Sequence, residues 1–175
     1  MKREIKTGLV AAIALQCLIL VGMYVSAQLP LWTGEAIRLK TIPVDPRSLF
    51  RGNYARLEYD FSQLNASLFP GDRKLREGEV VYVLLKPGKR GFHELAGASL
   101  EKPGEGVFLR GRVTGTWLRD AESRYQVKYG IEAFFAPREK ALGLESELRN
   151  GGMAEVMVSG SGRARLKNVT GNPVE

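Results

Sequence analysis

Residues 54–61 read Tyr54-Ala55-Arg56-Leu57-Glu58-Tyr59-Asp60-Phe61. Leu57, Tyr59 and Phe61 fall on one parity; Arg56, Glu58 and Asp60 fall on the other. Successive side chains of a strand point to opposite faces, so this alternation predicts a β-strand with one face in a core and one in water. Gly52-Asn53 just before it supplies turn chemistry. Tyr54 shares the parity of the charged residues, which places its ring at the turn or rim.

The same pattern continues on both sides. Ala36–Ile42 alternates apolar and basic residues and reads as a half-buried strand. Pro43-Val44-Asp45-Pro46 interrupts it, with Asp45 suited to cap one helical turn that Pro46 opens. Downstream, Glu79–Lys86 (EVVYVLLK) is the most continuous apolar run and is expected in the middle of a sheet; Pro87-Gly88 ends it. Phe92–Leu100 and Val107–Leu118 are further strands, the second with a bend at Gly111 or Gly115. Tyr125–Phe135 is read as one strand with a bulge at Gly130. Pro137–Arg149 changes period and reads as a helix near the C-terminus, stopped by Asn150-Gly151-Gly152. Ala154–Val158 and Ala164–Val169, joined through Ser159-Gly160-Ser161-Gly162, form a closing hairpin. The expectation is a mainly β domain of about eight strands, a barrel or a two-layer sheet, with one C-terminal α-helix.

The N-terminus obeys a different rule. From Thr7 to Gly34 there is no charged residue, and Gly8–Val25 is apolar apart from Gln16. A helix of about 20 residues crosses a hydrocarbon core of about 30 Å. Lys2, Arg3 and Lys6 precede the run and Glu35 is the first acid after it, which orients the N-terminus to the cytoplasm. Tyr24 and Trp32 suit the far interface, and Pro30 is expected to end the helix. Val25-Ser26-Ala27 would be acceptable to a signal peptidase, but the run exceeds the usual apolar signal region of about 7–15 residues. Cys17 sits mid-run and reads as a small thiol inside a membrane helix, not as a lipidation site. The division expected is a membrane anchor (or uncleaved signal sequence) over 1–28, a linker over 29–36 and an extracytoplasmic β-rich domain over 37–175. That is a single-pass protein of the inner (cytoplasmic) membrane, held in lipid by its N-terminal helix.

Composition narrows the chemistry. The 175 residues hold 26 Lys and Arg, 19 Asp and Glu, one His and one Cys, for a net charge of +7. One Cys excludes an internal disulfide, and one Cys with one His excludes a zinc site built from those residues. No cofactor or metal is expected. Lys2, Arg3 and Lys6 belong to the anchor, so the remainder keeps only a mild positive excess in short clusters such as Arg163-x-Arg165-x-Lys167. Basic residues are not interleaved with stacking aromatics, so no nucleic-acid partner is expected. Weak attraction to anionic headgroups beside the anchor is compatible with this charge.

Gly52-Asn53-Tyr54-Ala55-Arg56-Leu57-Glu58-Tyr59 resembles the Gly-Asp-Tyr-x-x-Leu-x-Tyr signature of the bacterial GDYXXLXY family. The lead-in Val44–Arg51, the segment Ile131–Phe135 and the segment Gly162–Lys167 are similar to that family too, so the likeness spans most of residues 37–170. Asn53 stands where the signature has Asp; it tolerates the same turn but carries no charge. The resemblance implies membrane anchoring and a place beside multi-pass membrane proteins, without implying an activity. From the residues themselves, Gly52, Asn53, Leu57 and Tyr59 read as turn and core positions. The functional alternative is that Asp45, Arg47, Arg51, Asn53 and Tyr54 form a polar rim that docks a partner, since Arg and Tyr are favoured at interfaces.

Enzyme readings find few parts. Pro46, Leu49, Gly52 and Asn53 are similar in pattern to the serine–lysine signal peptidases, but Pro43 stands where the nucleophilic Ser belongs, and proline has no hydroxyl. His93 is the one conventional general base, and no Gly-x-Ser-x-Gly elbow accompanies it. No catalytic set assembles. The leading expectation is therefore a binding or assembly module acting with an integral membrane protein. The alternatives are an envelope hydrolase working through Ser48 or His93, and a domain that senses a small ligand.

Overall fold

In the computed structural model, which describes residues 2–42, 54–69, 74–119, 122–135, 144, 148 and 151–171, an α-helix leads directly into a β domain. The helix, α1 (Lys2–Thr33), carries the uncharged run. Pro30 does not end it. Proline forfeits its own N–H bond and crowds a carbonyl of the preceding turn, yet the helix continues to Thr33. Gly34 N–H closes the last turn on the Pro30 carbonyl at 3.0 Å, and Thr33 Oγ1 donates to the Leu29 carbonyl at 2.9 Å. Residues 29–36, assigned to a linker from sequence, divide between that turn, Gly34 and the first strand.

Eleven strands follow among the described residues: β1 (Glu35–Ile42), β2 (Tyr54–Arg56), β3 (Glu58–Tyr59), β4 (Gln63–Asn65), β5 (Val80–Pro87), β6 (His93–Ser99), β7 (Val107–Arg119), β8 (Glu122–Lys128), β9 (Ala133–Phe135), β10 (Gly152–Val158) and β11 (Ala164–Gly171). They form a four-stranded sheet, β11-β10-β1-β3, a five-stranded sheet, β4-β8-β7-β5-β6, and a ribbon, β2-β9. Their pairings are antiparallel. The first strand pairs with the tenth from Glu35↔Val158 to Thr41↔Gly152, so the two ends of the domain are laced together.

The mainly β expectation is met, and Ala154–Val158 with Ala164–Val169 does form a hairpin, Val158 opposite Ala164. β5 lies inside its sheet between β6 and β7. The strand count is higher than eight because two expected strands are broken and β4 (Gln63–Asn65) was not foreseen. Tyr54–Phe61 divides at Leu57 into β2 and β3, which pair with different partners. Tyr125–Phe135 divides around Gly130, whose φ is 83°: β8 stops at Lys128 and β9 starts at Ala133 and pairs with β2, so the glycine lies in a turn between two strands and not in a bulge within one. A positive φ there is open to glycine and strained for other residues. The register of β7 shifts between Val113 and Gly115, close to one of the two expected bends.

The long helix among the described elements is N-terminal, which corrects the placement of an α-helix near the C-terminus. Of Pro137–Arg149 only Leu144 and Leu148 are described; both have helical backbone and both are buried. The rest of that segment lies outside the described residues, as does the single turn expected at Asp45-Pro46.

Both sheets contribute to one core. Ile37 and Leu39 of β1, Val156 of β10, Val81 and Val83 of β5, Leu109 and Val113 of β7, and Val127 of β8 belong to the same buried cluster. Backbone bonds tie the layers at their edges: Arg110 N–H donates to the Gly162 carbonyl at 2.8 Å and Val127 N–H to the Ser62 carbonyl at 2.9 Å. Gly111 on β7 makes room for its neighbours, since a Cβ there would lie 2.3 Å from Val127 Cγ1 and 2.8 Å from the Tyr129 ring. Gly111→Ala is therefore expected to destabilise the domain by about 1–3 kcal/mol through overpacking. Denaturant unfolding of the variant in detergent would show it as a lower midpoint with an unchanged slope.

Candidate functional site

The signature shapes the structure at the break beside Leu57. β2 runs in register with β9, Tyr54 opposite Phe135 and Arg56 opposite Ala133. Leu57 then turns its N–H to the Glu132 carbonyl at 2.8 Å. One residue later the chain leaves the ribbon and joins the first sheet, with Ile42↔Glu58 and Thr41↔Tyr59. Leu57 and Tyr59 are both essentially fully buried, as their parity predicts.

Tyr59 holds the corner. Its hydroxyl donates to the Ile131 carbonyl at 2.8 Å. Its backbone N–H donates to Ser62 Oγ at 2.9 Å, and Ser62 N–H returns a bond to the Tyr59 carbonyl at 2.8 Å. Its ring stacks on Phe61 at 5.5 Å between centroids, and Phe61 meets Tyr129 edge-on at 5.3 Å. The Tyr129 hydroxyl donates to the Phe61 carbonyl at 2.7 Å. Two buried phenols thus clamp each other's strands across the sequence. Glu132 completes the turn between them: its carboxylate accepts from the backbone N–H of Tyr129 and, at 3.0 Å, from that of Gly130. Loss of hydration on burial, and then the Glu132 charge, raise both phenol pKa values well above the usual tyrosine range. Both rings remain neutral hydrogen-bond donors across the physiological range.

The chain belongs to the GDYXXLXY protein family. The family model matches residues 16–169, from the middle of α1 to the end of β11. No curated protein and no solved structure matches the chain. In this GDYXXLXY protein the described part of the signature is architectural: Leu57 and Tyr59 fasten the signature strand to Ile131-Glu132, the second segment that carries the family resemblance.

Other positions of the signature are placed differently. Asp45, Arg47, Arg51, Gly52 and Asn53 lie outside the described residues, as does Ser48. Tyr54 is placed by its backbone pairing with Phe135. Arg56 and Glu58 form a surface ion pair at 3.4 Å. Phe135, at the ribbon's end, is 76% exposed, against the buried aromatics of the corner. Neither Phe135 nor Glu132 stands out in the sequence as a site residue. Strand parity cannot find an exposed aromatic in a ribbon, and the turn at Gly130 was hidden inside an expected strand.

His93 opens β6 and lies beside a hollow of about 490 Å³, with Lys40, Asp60, Lys89, Arg90 and Glu94 around it. Its Nδ1 is buried and has no hydrogen-bond partner among the described residues. Among the described residues lining this hollow there is no Ser, Thr or Cys to act as a nucleophile. Ser159 and Ser161 face each other at 2.9 Å in the β10–β11 turn, an arrangement unlike a nucleophile elbow.

Tyr59→Phe tests the clamp. Removing the hydroxyl leaves the Ile131 carbonyl buried and unpaired, at an expected cost of about 1–3 kcal/mol at neutral pH. The native phenol's pKa is raised, so the unfolded state loses its proton first, near pH 10. The clamp's contribution is full below about pH 10 and falls as pH rises beyond it. The stability gap between the parent and Tyr59→Phe should therefore narrow above about pH 10 in equilibrium unfolding followed against pH. A gap that stayed constant with pH would contradict this assignment.

Proposed function

We propose that this GDYXXLXY protein is a single-pass protein of the cytoplasmic membrane whose β domain lies outside the cytoplasm and acts, without catalysis, as a docking module for an integral membrane protein. The observation that carries the reading is α1. Its candidate span, Ile5–Thr33, is uncharged from Thr7 onward and long enough to cross a bilayer, and its most apolar stretch is not buried by the protein's own domain. Lys2, Arg3 and Lys6 before it favour a cytoplasmic N-terminus. The β domain fills its core from its own strands, so the exposed helix is left for lipid or for another membrane protein. Gly8, Gln16 and Gly22 offer small and polar surface for helix packing.

The β2–β9 ribbon is the surface assigned to docking. It carries the start of the signature, pairs separately from the two main sheets and presents Phe135 to solvent. Aromatic residues are enriched at interface centres. In this reading the corner built by Tyr59 and Tyr129 is the rigid support, and the ribbon with the lead-in residues Arg47 and Arg51 is the contact. A second reading, a small-ligand sensor, is favoured by the unpartnered His93 Nδ1 beside its hollow.

Two measurements check the proposal. The full-length chain is expected to stay with membranes after alkaline extraction; recovery in the soluble fraction would remove the anchor. Detergent-phase purification of parent and Phe135→Asp, compared by quantitative mass spectrometry, is expected to show one integral membrane protein enriched with the parent and depleted at least about tenfold with the variant, the scale of a single interface hot spot. Equal enrichment would remove the ribbon as the docking surface.

A further inference from the structure

Between α1 and the β domain runs a groove of about 1040 Å³. Its helix wall is one face of α1: Ile19, Gly22, Met23, Ser26, Ala27 and Pro30 recur at three- and four-residue spacing. Most of these side chains are small, so the wall is low. The opposite wall is cationic. Arg110 and Arg112 come from the outer face of β7, Lys128 from β8, and Arg163 and Arg165 from the turn and first residues of β11. Among the described residues lining the groove there is no Asp or Glu.

These cations are scattered between positions 110 and 165, and the fold brings them together. The inner parity of β7 is taken by Leu109 and Val113 in the core, which leaves Arg110 and Arg112 on the outer parity. Arg112 stands directly opposite Lys128 in the sheet register. Like charges at facing positions of an antiparallel pair are unfavourable. Arg112 Nη1 donates to the Gly78 carbonyl at 3.0 Å, a neutral acceptor that leaves the charge in place. An anion lying between the two walls relieves that repulsion.

The helix indicates which anion is at hand. About 20 residues counted from Thr7, the first uncharged position, end at Ser26, and that length spans the hydrocarbon. Ser26 and Ala27 are thus where α1 emerges into the headgroup region; with Pro30 they form the outer end of the groove's helix wall, while Ile19, Gly22 and Met23 form its end toward the hydrocarbon. The arginine and lysine stems are long enough to cover the apolar helix face while their charged ends reach the phosphate level. Helix and domain are held at this approach by the short junction: α1 ends at Thr33 and β1 starts at Glu35.

We propose that the groove formed by α1 with Arg110, Arg112, Lys128, Arg163 and Arg165 binds the phosphate-bearing headgroups of anionic phospholipids in the outer leaflet, seating the β domain against the membrane surface. This rests on the reading of α1 as a membrane anchor. It adds a lipid site that is separate from the β2–β9 ribbon assigned to the protein partner.

The test uses the full-length chain in detergent micelles, with bound lipid counted by native mass spectrometry. Phosphatidylglycerol is expected to be retained at least about tenfold more strongly than phosphatidylcholine, since each cation near an anionic surface contributes about fivefold. Arg110→Gln/Arg163→Gln/Arg165→Gln should lower that preference at least about tenfold relative to the parent, since three of the five cations are gone. Lys86→Gln, which removes an exposed β5 charge outside the groove's lining, should leave the preference intact. Matching circular dichroism of the variants shows that the fold survives; if the triple variant unfolds, Lys128→Gln alone is expected to lower the preference about fivefold. Equal retention of the two lipids by the parent would overturn the proposal. So would displacement of phosphatidylglycerol by excess inorganic phosphate at constant ionic strength, which would mark a site for free phosphate. Flotation of the same sample with phosphatidylcholine vesicles after an alkaline wash reports on the anchor separately: failure to float sinks the anchor, whereas floating without a lipid preference sinks only the groove.

Discussion

The Tyr59 hydroxyl bond to the Ile131 carbonyl is the constraint on which the β domain depends. It joins residues 72 positions apart, inside a core where an unpaired carbonyl would cost about 1–3 kcal/mol. Around it the chain must leave one sheet and enter another. A strand that switches partners loses ladder bonds at the switch, and those bonds have to be replaced. Leu57 N–H finds the Glu132 carbonyl, Tyr59 N–H finds Ser62 Oγ, and the Tyr129 hydroxyl finds the Phe61 carbonyl. The signature leucine and final tyrosine thus close a corner. Corner closure explains their residue types. The leucine is an apolar side chain that fills the seam, and the tyrosine is an aromatic with one polar atom that reaches across it.

This changes how the signature bears on function. A motif that fixes a corner confers rigidity on whatever is attached to it. Here the attachment is the β2–β9 ribbon, whose Phe135 is exposed while the corner's Tyr59, Phe61 and Tyr129 are buried. In the proposed reading the rigid corner is the support and the exposed ribbon the contact. The basic groove lies on another part of the surface, at the exit of α1. If both proposals hold, the lipid contact of a domain on so short a tether sets the orientation in which the protein contact is offered.

Much of this was legible in residues 54–61 and in their punctuation. Alternation placed Leu57, Tyr59 and Phe61 in the core, and all three are there. The same alternation failed to show that the strand breaks at Leu57. Parity survives a change of hydrogen-bond partner, since the side chains keep pointing the same way while the backbone changes sheets. The run from Tyr125 to Phe135 misled for a related reason: Gly130 is compatible with a bulge and with a turn, and only the Glu132 carboxylate on two backbone N–H groups selects the turn. The α-helix expected near the C-terminus rested on a few leucines and a proline, and the long described helix is at the other end of the chain.

By itself the sequence determined three things: an apolar N-terminal segment of membrane-spanning length, a β domain with strands in nearly the right places, and membership signalled by one short motif. These are local properties. They depend on the spacing of apolar residues and on turn chemistry, both of which a reader can count. Tertiary structure alone decided what joins what. The pairing of Tyr59 with Ile131, the register that sets Arg112 against Lys128, and the approach of α1 to Arg163 and Arg165 are contacts between distant positions. Such contacts are fixed by how two sheets close over one core, and no spacing within a single segment encodes them.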